Sequence, residues 1–176
     1  TLSLHDALPI FTRSRDRSAA PANALSRRPA IATVPVMISP SGMLEPCAMA
    51  TEVSSNVIEH LLCEARCAHP LECCGILLGH GEGIVQARAA ANVHPDPRQH
   101  FEIDPQALID AHRAARDGDL QVLGYYHSHP NGLAEPSATD RAIAAPDGSV
   151  WAIIAAERIS FWRSGDAGDR KSTRLN

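Results

Sequence analysis

His127 and His129 stand two residues apart in Tyr125-Tyr126-His127-Ser128-His129-Pro130, at the end of the apolar, β-prone run Leu120-Gln121-Val122-Leu123-Gly124. Side chains alternate across a strand, so two imidazoles at this spacing point to the same side and can grip one metal ion. Gly132 and Pro136 then turn the chain, and Ser137-Ala138-Thr139-Asp140 has the S-x-x-D form that opens a helix. That turn returns Asp140 to the histidines as a third, oxygen ligand. Three protein ligands with one open position describe a catalytic zinc site rather than a structural one.

Zinc lowers the pKa of water from about 15.7 to about 7 and so makes hydroxide available near neutrality. Hydrolysis then needs a carboxylate to take the proton and hand it to a leaving amine. Glu72 is the candidate. Alone it reads as a loop carboxylate ahead of an apolar strand; beside the histidine stretch it reads as an acid–base group whose pKa partial burial has raised. Ser137 is placed to donate a hydrogen bond to an oxyanion, and it also reads as a plain helix N-cap. Both roles are compatible.

The elements that position these residues follow from periodicity. Val57, Ile58, Leu61, Leu62 and Ala65 form one apolar face of a helix over about 55–68, closed by His69-Pro70. Cys73-Cys74-Gly75-Ile76-Leu77-Leu78-Gly79 reads as a buried strand, Gly81-Glu82-Gly83 as a hairpin, and Ile84 to Ala90 as its partner strand. Asn92 to Arg98 is a loop and Phe101-Glu102-Ile103 a short strand. Asp104-Pro105 starts a second helix by the cap-then-proline rule, and a third runs from Ser137 to Ala145. Ser149 to Ala156 is a buried strand, with Ile159 to Arg163 its hairpin partner. Strands interleaved with helices give a single α/β layer structure.

The other histidines and the cysteines are assigned to structure. His94, His100 and His112 read as loop, strand edge and helix surface. His60, Cys63 and Cys67 share a helix face and offer a second metal site, but small buried cysteines at a helix edge are the favoured reading. Of the vicinal pair, one thiol packs into the core and the other is free to line the site. The five cysteines contain no C-x-x-C pair, which is not a disulfide framework, and a reducing cytoplasm is the simpler setting.

Composition bounds the partners. Residues 49–168 carry 8 Arg and no Lys against 16 Asp+Glu, or 8 − 16 = −8. Such a domain has no basic footprint for nucleic acid. No run of eighteen apolar residues occurs, so no spanning helix is expected.

The ends look foreign. Residues 1–10, Thr1-Leu2-Ser3-Leu4-His5-Asp6-Ala7-Leu8-Pro9-Ile10, resemble a translated sequencing adapter, and 169–176, Asp169-Arg170-Lys171-Ser172-Thr173-Arg174-Leu175-Asn176, resemble its partner. Such segments stand outside fold reasoning. Residues 1–48, with their Arg/Ser content and scattered prolines, are expected to be non-native or to lack regular structure, leaving a domain over 49–168 that is truncated at its C-terminal side.

The spaced residues resemble the JAMM (MPN+) zinc metallopeptidase family, whose motif is an upstream glutamate, then H-x-H-P, six residues and S-x-x-D. It stands here as Glu72, His127-Ser128-His129-Pro130 and Ser137-Ala138-Thr139-Asp140, and Glu72 to Gly79 is similar to the E-x-C-G-L-L-x-G form of small stand-alone bacterial members. The resemblance covers residues 52–163. It implies a curved mixed sheet flanked by helices, zinc on His127, His129 and Asp140, Glu72 as base and Ser137 as oxyanion donor. It also implies cleavage of an amide or isopeptide bond after the C-terminal glycine of a ubiquitin-like or β-grasp sulfur-carrier protein. The alternatives are a catalytically silent protein-binding scaffold of the same fold and a cell-wall or phage-tail peptidase. The architecture resembles that of zinc deaminases too, but those combine H-x-E with P-C-x-x-C, a combination absent here.

Overall fold

The computed structural model describes residues 30–38 and 50–165. Seven strands form one mixed sheet that curls until it closes, in the order β1-β2-β4-β3-β5-β6-β7 and back to β1. The strands are β1 Ile31–Ile38, β2 Ala50–Ser54, β3 Cys74–His80, β4 Gly83–Ala90, β5 Gln121–Ser128, β6 Val150–Ala155 and β7 Arg158–Arg163. Helix α1, Ser55–Ala68, follows β2; α2, Pro105–Arg116, precedes β5; and the short α3, Ala138–Ile143, lies between β5 and β6. This is the curved mixed sheet with flanking helices that the motif implied.

The centre of the sheet is covered on both faces, which explains why β3 is an almost unbroken apolar run, buried from Cys74 to Gly79. Alternate residues face opposite helices. Leu77 and Tyr126 pack with Val57 and Leu61 of α1, together with Ile154 and Phe161. Ile76 and Leu78 pack with Ala111 of α2, against which Val122 and Tyr125 also lie. Each fully buried aliphatic side chain contributes about 1.5–3 kcal/mol, so the two clusters fix β3 and β5 in place before any functional residue is considered. Gly124 of β5 has no room for a side chain, since a Cβ there would collide with the backbone of Val150 in β6. The close approach keeps β5 and β6 in parallel register, His127 beside Ile153.

Helix starts follow the sequence. Asp104 caps α2, its carboxylate accepting from the Gln106 amide at 2.9 Å with Pro105 in the first turn. The hairpin from β3 to β4 turns where the glycines predict it. Two expectations fail locally. Phe101-Glu102-Ile103 is not a strand; only Ile103 makes an isolated bridge, to Asn92, because the flanking loop is tied by side-chain bonds instead of a ladder. The third helix runs from Ala138 to Ile143 rather than from Ser137 to Ala145.

The larger correction concerns residues 1–48, which were expected to have no regular structure. Residues 31–38, Ile-Ala-Thr-Val-Pro-Val-Met-Ile, form β1. Its first part pairs antiparallel with β2, Pro35 opposite Ala50, and its last residues pair parallel with β7, Val36 opposite Phe161. Pro35 thus sits where the strand changes partners, a place that tolerates a missing N–H. The prolines weighed against a strand, whereas the β-branched run around Pro35 specifies one. Both adapter-like ends lie outside the described residues.

Candidate metal centre and active site

The site forms where β5 ends. His127 lies within β5 and His129 just beyond it, tied by its backbone N–H to the Ile154 carbonyl of β6 at 2.7 Å. Their Nε2 atoms are 3.0 Å apart. The chain then turns at Gly132, whose φ of +81° only glycine adopts readily, and its N–H closes the turn on the His129 carbonyl at 3.1 Å. At the start of α3 a reciprocal capping box holds Asp140. The Ser137 backbone N–H donates to Asp140 Oδ2 at 2.6 Å, and the Asp140 N–H donates to Ser137 Oγ at 3.1 Å. Asp140 Oδ1 consequently stands 3.4 Å from His127 Nε2, and Oδ2 3.2 Å from His129 Nε2.

These three residues fit zinc. Ligand atoms about 2.0–2.1 Å from one zinc in a tetrahedron lie about 3.3–3.4 Å apart; the two Nε2 atoms are 3.0 Å apart and each has an Asp140 oxygen at 3.4 or 3.2 Å, Oδ1 for His127 and Oδ2 for His129. The tautomer fits as well. His129 Nδ1 is 2.7 Å from the Leu133 carbonyl, which only accepts, so Nδ1 carries the proton and Nε2 presents its lone pair to the centre. His127 Nδ1 is buried with no partner. The His127 ring is instead held by Phe101, stacked on it at 4.2 Å between centroids and 15° between planes. Among the described residues this is the cluster of histidine, cysteine and carboxylate groups whose ligand atoms all lie within 4.8 Å of one another.

Electrostatics follow from burial. His127, fully buried, is pushed below the usual histidine range by desolvation, which outweighs the nearby Asp140. Burial also acts to lower His129, but the hydrogen bonds to Asp140 and Leu133 and the charges of Asp140 and Glu72 carry it upward. Burial would raise Asp140, yet its bonds to His127, His129 and Ser137 hold it well below the carboxylate range. The carboxylate is therefore ready to bind a cation.

Glu72 enters from the other side. In the β3–β5 pairing Cys74 faces His127, and continuing that register past the strand ends sets Glu72 opposite His129. The junction is knotted by Cys73, whose N–H donates to Ser128 Oγ at 2.9 Å and whose carbonyl accepts from the Ser128 N–H at 3.0 Å. Glu72 is 6% exposed, and burial raises its carboxyl to about 7, with Asp140 and Asp96 adding and His129 opposing. Glu72, His129, Ser137 and Asp140 line one cavity of about 630 Å³, walled on its apolar side by Phe101, Tyr125 and Trp151.

The remaining assignments divide. His94 and His100 lie in the loop and line the cavity, outside the ligand cluster; His112 is exposed on α2. Neither vicinal thiol lines this cavity: Cys73 packs in the α1-side core, and Cys74, which burial pushes to about 12, faces backbone carbonyls at 3.8–4.0 Å. Cys63 and Cys67 were read as buried, but both are exposed, their sulfurs 4.0 Å apart. Sequence reasoning missed Phe101 and Trp151 as walls of the site and Asn92 as a tie within it; a solitary loop asparagine carries no periodic signal.

The chain is similar to known proteins. A family profile described as prokaryotic homologs of the JAB domain matches residues 54–165. The chain is 32% identical over 107 residues to a desampylase of Haloferax volcanii, covering 60% of this chain and 77% of that protein. It is 36% identical over 105 residues to a probable TtuB-protein conjugate cleaving protease of Thermus thermophilus, covering 60% of this chain and 61% of that protein, so it spans less than two thirds of that relative. The solution structure of protein DSY2949 from Desulfitobacterium hafniense superposes with a TM-score of 0.53 at 29% identity, covering 62% of this chain and 79% of that one. The chain thus belongs to the prokaryotic JAB domain family of JAMM metallopeptidases and is similar to the desampylases.

Proposed function

We propose that this chain uses zinc to hydrolyse an amide or isopeptide bond at the C-terminal glycine of a ubiquitin-like or β-grasp sulfur-carrier protein. The observation that carries the reading is the convergence of His127, His129 and Asp140 on one point, beside a cavity that His129, Asp140 and Glu72 line. His127, His129 and Asp140 would hold the zinc, which when bound supplies Lewis acidity and hydroxide near neutral pH. Glu72, with a carboxyl near 7, is matched to accept a proton from attacking water and return it to the leaving amine. The Ser137 hydroxyl, which accepts from Asp140 through its oxygen, keeps its own hydrogen to donate to the oxyanion, a contribution of about 3 kcal/mol. Phe101, Tyr125 and Trp151 limit water on the apolar wall.

The substrate class is supported by the names of the relatives, one a desampylase and one a probable conjugate-cleaving protease. We place the reaction in the cytoplasm, a setting supported by the four free thiols among the described residues. The test offers the zinc-loaded chain two probes: a ubiquitin-like carrier joined through a C-terminal Gly-Gly to a lysine side chain, and a cell-wall peptide. Cleavage of the first after glycine is expected. Cleavage of the cell-wall peptide alone would move the chain to the rival peptidase reading, and turnover of neither, with zinc bound, would favour the scaffold.

A further inference from the structure

The side chain of Asn92 makes four hydrogen bonds, the full capacity of a carboxamide. Nδ2 donates to the Glu72 carbonyl and to the His100 carbonyl, each at 3.0 Å. Oδ1 accepts from the backbone N–H of His94 and of Glu102, each at 3.1 Å. The loop between Asn92 and Ile103 is thus gathered around one side chain, and it returns a further bond, the Glu72 N–H donating to the Pro97 carbonyl at 2.7 Å. Phe101, which that loop carries, stacks on His127. Glu72 has no strand partner of its own, since β3 begins at Cys74. Its backbone is held on both sides by this loop.

We propose that Asn92 is a positioning residue for the reaction: it sets the backbone of Glu72 relative to the metal ligands and ties that setting to the loop walling the substrate cavity. The assignment rests on Glu72 acting as the base. Asn92 touches neither the ligands nor the reacting atoms, so its effect passes through Glu72 and Phe101. A misplacement on the order of 1 Å at a catalytic group costs up to about a hundredfold in rate. The oxygen half ties only the loop, through His94 and Glu102, whereas the nitrogen half ties Glu72 and one further loop residue, His100. Asn92→Asp keeps both acceptors, for His94 and Glu102, and loses both donors, including the one to Glu72; Asn92→Ala loses all four.

The experiment uses the full zinc-loaded chain and the Gly-Gly-lysine carrier probe, with bound zinc, melting temperature, kcat, KM and amide hydrogen exchange measured for each variant. Both variants are expected to bind zinc stoichiometrically and to lose about tenfold or more in kcat, with KM changed less than threefold. Asn92→Ala is expected to speed exchange at the Glu72, His94 and Glu102 amides while β3 and β5 keep their protection. Asn92→Asp is expected to retain protection at His94 and Glu102 and still to lose kcat, a split that loss of the loop ties made by the oxygen does not produce. An Asn92→Asp variant with zinc bound and kcat within twofold of the parent overturns the proposal, as does unchanged exchange at Glu72 in Asn92→Ala. Should the parent leave the probe intact, the substrate reading fails, and the exchange at Glu72 still decides whether Asn92 holds it.

Discussion

The two halves of the site are built in opposite ways. The half proposed to hold the metal is local: His127, His129, Ser137 and Asp140 lie within one strand end, one turn and one helix start, and the capping box that aims Asp140 joins residues three apart. The half that carries the proposed base is distributed. Glu72 sits between α1 and β3, its backbone bonded to Asn92 and Pro97, and the ring of Phe101 reaches across to His127. A local constellation is fixed by short-range geometry with little loop-closure cost, whereas the distributed one exists only when the sheet and the loop are both in place.

That contrast predicts how the halves break. The largest effect is expected from His129→Ala, which removes a metal ligand: bound zinc and turnover should both fall to background by metal analysis and probe cleavage, as chelation should also do reversibly in the parent. Glu72→Gln should leave zinc bound while turnover drops by about 10²–10⁴. If that variant cleaves at the parental rate, Glu72 is not the base. Ser137→Ala tests two roles within the local half, since it removes a cap worth about 1 kcal/mol and the proposed oxyanion donor. A fall in kcat of about 10²–10³ with zinc retained supports the donor role, and a lowered melting temperature with kcat intact leaves only the cap.

The smallest effect is one of pH. In the metal-free chain Glu72 keeps its proton to about 7, against 4.5 in its ordinary state. A carboxyl raised by folding stabilises the native state most fully below the lower value, and that contribution is lost as pH rises through the higher one. Glu72→Gln mimics the neutral form, so its melting temperature relative to the parent should rise between pH 5 and pH 8. A difference independent of pH would show that burial does not hold the proton there.

The same contrast explains what the sequence disclosed. The candidate metal site was legible because strand alternation and a helix-start signature are short-range rules, and they bring His127, His129 and Asp140 together. The α1, β3–β4 and α2 elements were legible from apolar period and from the glycine and Asp-Pro signals. Asn92 was not, because three of its four partners lie 8 to 20 residues away and all four are backbone groups, which carry no residue identity. Phe101 was read as a strand residue, since an aromatic between polar neighbours has a β-like pattern whatever it packs on. The first strand was lost for a different reason: Pro35 argues against a central strand, and only the change of partner along β1 reconciles the two.

The seam that β1 occupies has a practical consequence. A recombinant version begun at Met49 would strip β2 of its antiparallel neighbour and β7 of its parallel one, exposing two rows of unbonded amides and carbonyls. Bare sheet margins of this kind recruit one another between molecules. The shortened protein would keep every residue that chemistry asks for and still be prone to clump, a defect of handling easily mistaken for a defect of catalysis.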